Sequence, residues 1–138
     1  MSEGNGYRLE EQIGFKLRVA NQKHLEIFAH EMPDLTPRQF AVLARLTEDG
    51  PLSQNHLGRQ VAMDAATTKG VIERLLRKGY VRADPSQSDR RRLEISLTPE
   101  GEAVTRTAIE TARKISARTL HNLTEREAKR LRDLLDKL

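Results

Sequence analysis

Apolar residues near the start of the chain recur at intervals of three or four, which is the spacing of one face of an α-helix. Over residues 9–31 this face comprises Leu9, Ile13, Leu17, Ala20, His24 and Ile27. Pro33 ends this helix. Thr36 and Pro37 then begin another, because a hydroxyl N-cap followed by proline at the first helical position is a helix start. The pattern therefore predicts two successive helices, the second running to the breaker at residues 49–51.

The middle of the chain has the pattern of two shorter helices separated by a tight turn. Ser53 caps the first of them, and the second spans residues 64–79 and ends at a glycine. Two strands should follow, one beginning at Tyr80 and one over residues 93–97, where apolar and polar side chains alternate. Three helices followed by a hairpin predict a mainly α protein with a small β-hairpin wing, the winged helix-turn-helix architecture.

Two more helices are predicted in the C-terminal third, one from Thr98 to about Leu120 and one starting with a capping box at Thr124. The first and last helices carry apolar stripes although they lie outside the winged helix-turn-helix lobe at residues 36–98. Such stripes must be covered. We expect a single domain over residues 1–138. We also expect this domain to form a homodimer through dimerisation helices at 9–31 and 99–138. The alternative is that the stripes dock against each other within one chain.

Composition excludes several classes of function. The chain of 138 residues has no cysteine, which removes disulfides, thiolate metal sites and cysteine nucleophiles. Its four histidines lack metal-ligand spacing, and no phosphate loop or nucleophile elbow is present, so we expect neither an enzyme nor a cofactor. No apolar run approaches the ~20 residues of a membrane span, and no signal peptide precedes residue 1. A cytoplasmic protein without a membrane partner is expected.

The net charge of +4 is concentrated in one segment of the chain. Residues 64–92 hold eight basic and four acidic side chains, whereas the segments before and after are close to neutral. Three consecutive arginines, at positions 90–92, fall at the exposed tip of the predicted hairpin, where they repel one another unless an anion approaches. A basic surface on a near-neutral body indicates polyanion binding, although a solvated charged hairpin is the alternative.

The helix at 64–79 has two distinct faces. At about 100° per residue, one apolar face should pack on the core and comprises Ala65, Thr68, Val71, Ile72, Leu75 and Leu76. The opposite face carries two small residues, Ala66 and Gly70, which suit the close approach of another surface, although a packing glycine remains the alternative for Gly70. On that face Glu73 is expected to pair with Arg77.

These features predict binding to double-stranded DNA. The helix at 64–79 would enter the major groove with Thr67 and Lys69 near base edges, while the wing at 82–93 reaches the minor groove, which favours arginine. Asp89 would position Arg91. The predicted DNA-contacting residues are Ser53, Thr67, Lys69, Gly70, Arg74, Arg77, Asp89, Arg90, Arg91 and Arg92.

The sequence resembles the MarR family of winged-helix regulators over nearly its whole length. Asp89-Arg90-Arg91, a short strand, then Leu97-Thr98 and Gly101 resemble the family's wing pattern, and "ERLLRKGYV" at 73–81 is similar to the end of its recognition helix. The resemblance implies a homodimer that binds a pseudo-palindromic operator and is released by a small ligand. One departure from the family pattern is Gly70, where many relatives carry a larger residue, often arginine. Lys69 is a candidate to make the base contact that this larger residue would make.

The resemblance also implies an effector bound between the dimer helices and the DNA-binding lobe. Some relatives that respond to aromatic carboxylates have an arginine and a histidine at the spacing of Arg18 and His24. Arginine can bind a carboxylate with two hydrogen bonds, and histidine titrates near neutral pH. Arg18, His24 and Phe28 are therefore predicted to bind a small aromatic carboxylate or its acyl-CoA thioester; the alternative is an interface ion pair, an interface histidine and a core phenylalanine.

The expected function is a DNA-binding transcriptional regulator, with repression as the simpler mode of action. Two other functions remain open at this point: a ligand-independent architectural DNA-binding protein, and a winged helix that binds another protein.

Overall fold

The order of helices and strands follows the sequence pattern closely. A computed structural model describes residues 6–138, in which six α-helices accompany one three-stranded sheet. After a short 3-10 helix (Leu9–Glu11) the elements are α1 (Ile13–Glu31), α2 (Pro37–Asp49), β1 (Leu52–Ser53), α3 (Gln54–Gln60), α4 (Ala65–Lys78), β2 (Val81–Pro85), β3 (Leu93–Leu97), α5 (Pro99–Thr119) and α6 (Glu125–Leu135). This confirms the mainly α winged helix-turn-helix class. None of the helices within residues 6–138 is long and apolar enough to cross a membrane.

Local capping interactions determine where several helices begin. The Thr36 hydroxyl accepts a hydrogen bond from the Gln39 N–H at 3.1 Å, and the Gln39 side chain accepts one from the Thr36 N–H at 3.3 Å. Thr124 and Glu127 form the same reciprocal pair, at 3.1 and 2.9 Å. Both helices thus begin with a capping box, so α2 and α6 start where the sequence predicts.

The chain divides into two compact units, one of which is residues 32–113. In this unit α4 contacts α2, α3 and β2. The fully buried aliphatic side chains Val42, Leu43, Leu57 and Leu75 form the core beneath α4. The helix-turn-helix is therefore held by a continuous apolar core.

The sheet contains one strand that the sequence pattern did not predict. Its order is β1-β3-β2, and both pairings are antiparallel. β1 has only two residues, and Leu52 lies opposite Ile95 of β3. β2 extends through Pro85, which pairs with Leu93, so the turn begins only after Pro85. Leu93 itself is exposed, and of the alternating apolar residues in β3 only Ile95 is buried.

The hairpin is fixed at its base by contacts with the start of α5. The Thr98 hydroxyl donates to the Gly79 carbonyl at 2.6 Å, and the Thr98 N–H donates to the Tyr80 carbonyl at 3.1 Å. A Cβ atom added to Gly101 would lie 1.9 Å from the Tyr80 carbonyl oxygen, so only glycine fits there. These contacts join the end of α4 and the start of β2 to α5.

The other unit combines α1 with the C-terminal end of α5 and α6. The predicted helix over 9–31 is interrupted at Gln12, where extended backbone separates the 3-10 turn from α1. Large apolar side chains on α1 and α6 remain exposed in the single chain, among them Ile13, Leu17, Leu131 and Leu134. The apolar stripes recognised in the sequence are therefore uncovered in the single chain.

Candidate nucleic-acid interface

Helix α4 has the buried face that its sequence predicts, but a narrower one. Thr68, Val71 and Leu75 are buried, whereas Ala65 is exposed and Leu76 retains 39% of its exposure. The prediction was wrong for these last two residues. At about 100° per residue, both lie some 80–100° around the helix from Leu75, at one edge of the apolar face, beyond the underlying core.

The start of α4 is fixed by Asp64. Its side-chain Oδ1 accepts a hydrogen bond from the Thr67 N–H at 2.7 Å. This backbone hydrogen bond, together with one to the Thr67 side chain and the charge of Arg38, lowers the pKa of Asp64 below its ordinary value. The carboxylate therefore remains ionised and holds the first turn of α4.

The outward face of α4 is open. Apart from the helix's own backbone, no atom in the structure would lie within 4 Å of a Cβ added at Gly70, so packing within residues 6–138 does not require glycine there. Lys69, Arg74 and Arg77 are exposed on the same helix. The expected Glu73–Arg77 ion pair is absent from the described part of the chain. An ion pair between two solvated side chains gains little free energy, which explains why Glu73 and Arg77 do not pair. Arg74 and Arg77 therefore remain available for another partner.

The tip of the hairpin is ordered by its own hydrogen bonds. The Ser86 N–H donates to the Arg92 carbonyl at 2.8 Å, and the Arg92 N–H donates to the Asp89 carbonyl at 2.9 Å. Ser86 is 4% exposed, and its hydroxyl lies 3.0 Å from that of Ser88. The arginines consequently project from a defined loop instead of an unstructured one.

Asp89 and Arg91 are in direct contact, as expected from the sequence. The Asp89 carboxylate accepts hydrogen bonds from the Arg91 backbone N–H at 3.0 Å and from Arg91 Nε at 3.3 Å. The Arg91 side chain is nevertheless 92% exposed. The carboxylate therefore holds the inner part of the guanidinium while the outer nitrogens face solvent.

A groove lies between α3 and the hairpin, with a volume of about 430 Å³. We call it the α3–wing groove; it is lined by Ser53, Gln54, Asn55, His56, Arg59, Arg91, Arg92 and Leu93. Ser53 and the two arginines were predicted from the sequence as DNA contacts, but the other side chains on α3 were not. In the sequence, the only indication of these side chains was that they follow the helix cap at Ser53. The Ser53 hydroxyl accepts a hydrogen bond from the His56 N–H at 3.2 Å.

The predicted ligand residues all belong to the unit that contains α1. His24 Nδ1 lies 2.8 Å from the Thr119 hydroxyl, and its ring centroid lies 6.4 Å from that of Phe28. The Arg18 guanidinium is 5.2 Å from the centroid of the Phe15 ring. Phe28 is buried, as in the alternative interpretation, whereas Arg18 is exposed.

Comparisons with known proteins give a consistent result. The sequence model of the MarR family matches residues 35–93. NicR of Pseudomonas putida, an HTH-type transcriptional repressor, is 37% identical over 96% of this chain and 85% of its own length. A probable transcriptional regulator from Pseudomonas aeruginosa, known from its crystal structure, is 46% identical, with a TM-score of 0.89, over 94% of this chain and 98% of that one. BpsR of Bordetella bronchiseptica, whose DNA binding is regulated by 6-hydroxynicotinic acid, is 35% identical, with a TM-score of 0.91, over 95% of each chain.

Proposed function

The chain belongs to the MarR family of transcriptional regulators, and from this premise we propose that it is a repressor that binds a pseudo-palindromic operator as a homodimer and is released by a small aromatic acid. The family and the relatives above are regulators, not enzymes, and this agrees with the sequence analysis. A DNA-binding regulator acts where DNA is, so a cytoplasmic location remains the expectation.

The observation that carries the DNA-binding proposal is the combination of two surfaces in one unit. The outward face of α4 offers small residues and free cations, and the hairpin offers Arg91 supported by Asp89. A major groove is wide enough to admit a helix, and a narrow minor groove attracts arginine. We therefore assign base contacts to Thr67 and Lys69, and minor-groove contacts to the hairpin tip.

The exposed apolar side chains of α1 and α6 support the proposed homodimer. Ile13 on α1 and Leu134 on α6 retain 62% and 44% of their exposure in the single chain. Covering both stripes with a second copy removes apolar surface from water, and a two-fold arrangement lets each stripe serve both protomers. A homodimer would in turn require a pseudo-palindromic operator, because each protomer contacts one half-site.

An aromatic carboxylate is the effector class that the residues of α1 support. The guanidinium of Arg18 is exposed and can bind a carboxylate, and the half-buried His24 offers a polar group further along the helix, whereas Phe28 is buried in the single chain and could only line the site from within. The effector of BpsR, 6-hydroxynicotinic acid, is a hydroxylated aromatic acid of this kind. Acyl-CoA thioesters of such acids are the second class to be tested.

Fluorescence anisotropy with duplexes tiled across the DNA upstream of the protein's own gene tests the proposal. The expected result is tight binding to one pseudo-palindrome, reversed by 6-hydroxynicotinic acid or a related acid. Arg18→Ala should bind the same duplex but require a higher acid concentration for release. Equal binding to every duplex, unaffected by any compound, would instead support the architectural alternative.

A further inference from the structure

The α3–wing groove combines cations from two elements that are distant in sequence. His56 and Arg59 come from α3, and Arg91 and Arg92 come from the hairpin. Ser53 and Asn55 add neutral hydrogen-bonding groups to its lining. No carboxylate is among the residues that line the groove within the described chain. Such a concave surface with several cations and polar donors matches an oxyanion.

Of the nearby acidic side chains, one offsets a single arginine of this groove and the other lies elsewhere. Asp89 is engaged with Arg91 at the hairpin tip, and Glu94 lines a different groove together with Arg82. Helix α4 packs against α3 at Gly58, where an added Cβ would lie 2.8 Å from the Thr68 hydroxyl, and contributes no side chain to the lining. The ionisable side chains in the groove are therefore one histidine and three arginines.

We propose that the α3–wing groove binds one phosphodiester of the DNA backbone in each half-site, with Arg59 and Arg92 as permanent cations and His56 as a cation only when protonated. This inference rests on the proposed DNA-binding function and separates the consecutive arginines by role. Arg92 belongs to the phosphate site, while Arg90 does not line the groove. A phosphate contact fixes the register of the protein without reading sequence.

Proton linkage follows from the presence of His56 in this cluster. Its Nε2 lies 3.4 Å from the Gln60 side-chain nitrogen, and no carboxylate pairs with it among the described residues. Histidine gains its charge between pH 5 and 8. A bound phosphate favours the charged ring, so we expect DNA binding to take up a proton and operator affinity to rise as the pH falls.

The first experiment measures operator affinity at pH 6 and pH 8 for three proteins. An exposed ion pair contributes up to about 1 kcal/mol. At pH 6 the operator affinity of the wild type should therefore exceed that of His56→Gln by up to roughly fivefold per half-site. His56→Lys should bind tightly at both pH values because its charge is permanent. Since His56 is exposed, both variants should fold, which circular dichroism verifies. Equal pH dependence in the wild type and His56→Gln would overturn the proton linkage and with it the proposal.

The second experiment locates the phosphate. Each phosphate of the operator is replaced in turn by an uncharged methylphosphonate. At one position per half-site the replacement should weaken the wild type and Arg90→Gln, but should weaken the double variant Arg59→Gln/Arg92→Gln much less, because that variant has already lost two cations of the groove. The absence of any such position would overturn the groove assignment while leaving sequence-specific binding intact. A wild-type protein that binds no duplex would overturn the proposed function itself.

Discussion

Gly70→Ala separates the stability of α4 from its function. Gly70 lies in the interior of a helix that spans Ala65–Lys78, and an added methyl group would meet no atom outside the helix's own backbone within 4 Å. Glycine in a helix interior loses more backbone entropy on folding than alanine does. If this position is open because DNA approaches it, the same methyl group should stabilise the protein and obstruct the partner.

Both effects have predictable sizes. Replacing glycine by alanine in a helix interior stabilises by about 0.5–1 kcal/mol, which for a domain of this length raises the Tm by roughly 2–5 °C. Inserting a methyl group into a close-packed contact costs about 1–3 kcal/mol. Operator affinity should therefore fall by roughly fivefold to more than a hundredfold per half-site.

Thermal unfolding and operator anisotropy measure the two effects, with protein concentration matched because a dimer's Tm depends on it. Thr47→Ala is a suitable control: this exposed residue of α2, whose hydroxyl donates to the Leu43 carbonyl at 3.0 Å, lies outside α4 and the hairpin. It should change DNA affinity little. A lower Tm for Gly70→Ala would show that Gly70 is a packing glycine, and unchanged operator affinity would refute the close approach of DNA.

Four further predictions concern the hairpin and the start of α4. Gly101→Ala should destabilise strongly, since its Cβ would lie 1.9 Å from the Tyr80 carbonyl oxygen, and a Tm near the wild-type value would contradict this geometry. Arg91→Ala should weaken operator binding and lower its salt dependence; an unchanged slope would exclude contact with the DNA phosphates. Lys69→Ala should relax specificity at one base pair per half-site by about 1–3 kcal/mol, whereas a uniform loss across sequences would make Lys69 a phosphate contact. The lowered pKa of Asp64 gives stability that is present at neutral pH and lost as the pH falls below the ordinary value of 3.8, so Asp64→Asn should flatten the acid limb of a stability–pH curve.

The starts of four helices were predictable because their causes are local, whereas the interruption at Gln12 before α1 was not predicted. A cap at Thr36, Ser53, Asp64 or Thr124 bonds to a backbone N–H three residues later, so the sequence contains both partners of the interaction. The same locality explains the Asp89–Arg91 contact, which spans two residues.

Features that depend on distant partners were not predictable. Strand β1 has two residues, too few to show a period, and it exists because Leu52 pairs with Ile95. The α3–wing groove likewise joins His56 to Arg92 through that pairing. Helical periodicity assigns Ala65 and Leu76 to the apolar face, but the extent of the core beneath α4 decides whether that face is covered.

The position of the hairpin relative to α4 is set by contacts that no DNA-facing residue makes. The chain leaves α4 at Gly79, whose positive φ of 78° ends the helix, and Thr98 then bonds to the Gly79 and Tyr80 carbonyls. Gly101 allows the Tyr80 carbonyl to approach closely. Because this base is held by hydrogen bonds to the Gly79 and Tyr80 carbonyls and the tip is closed by the Ser86–Arg92 hydrogen bond, the arginines cannot move far from α4 without breaking hydrogen bonds. The spacing between the two proposed DNA contacts is thus a property of the fold, and a change at Gly101 should alter operator affinity without removing a single DNA-contacting side chain.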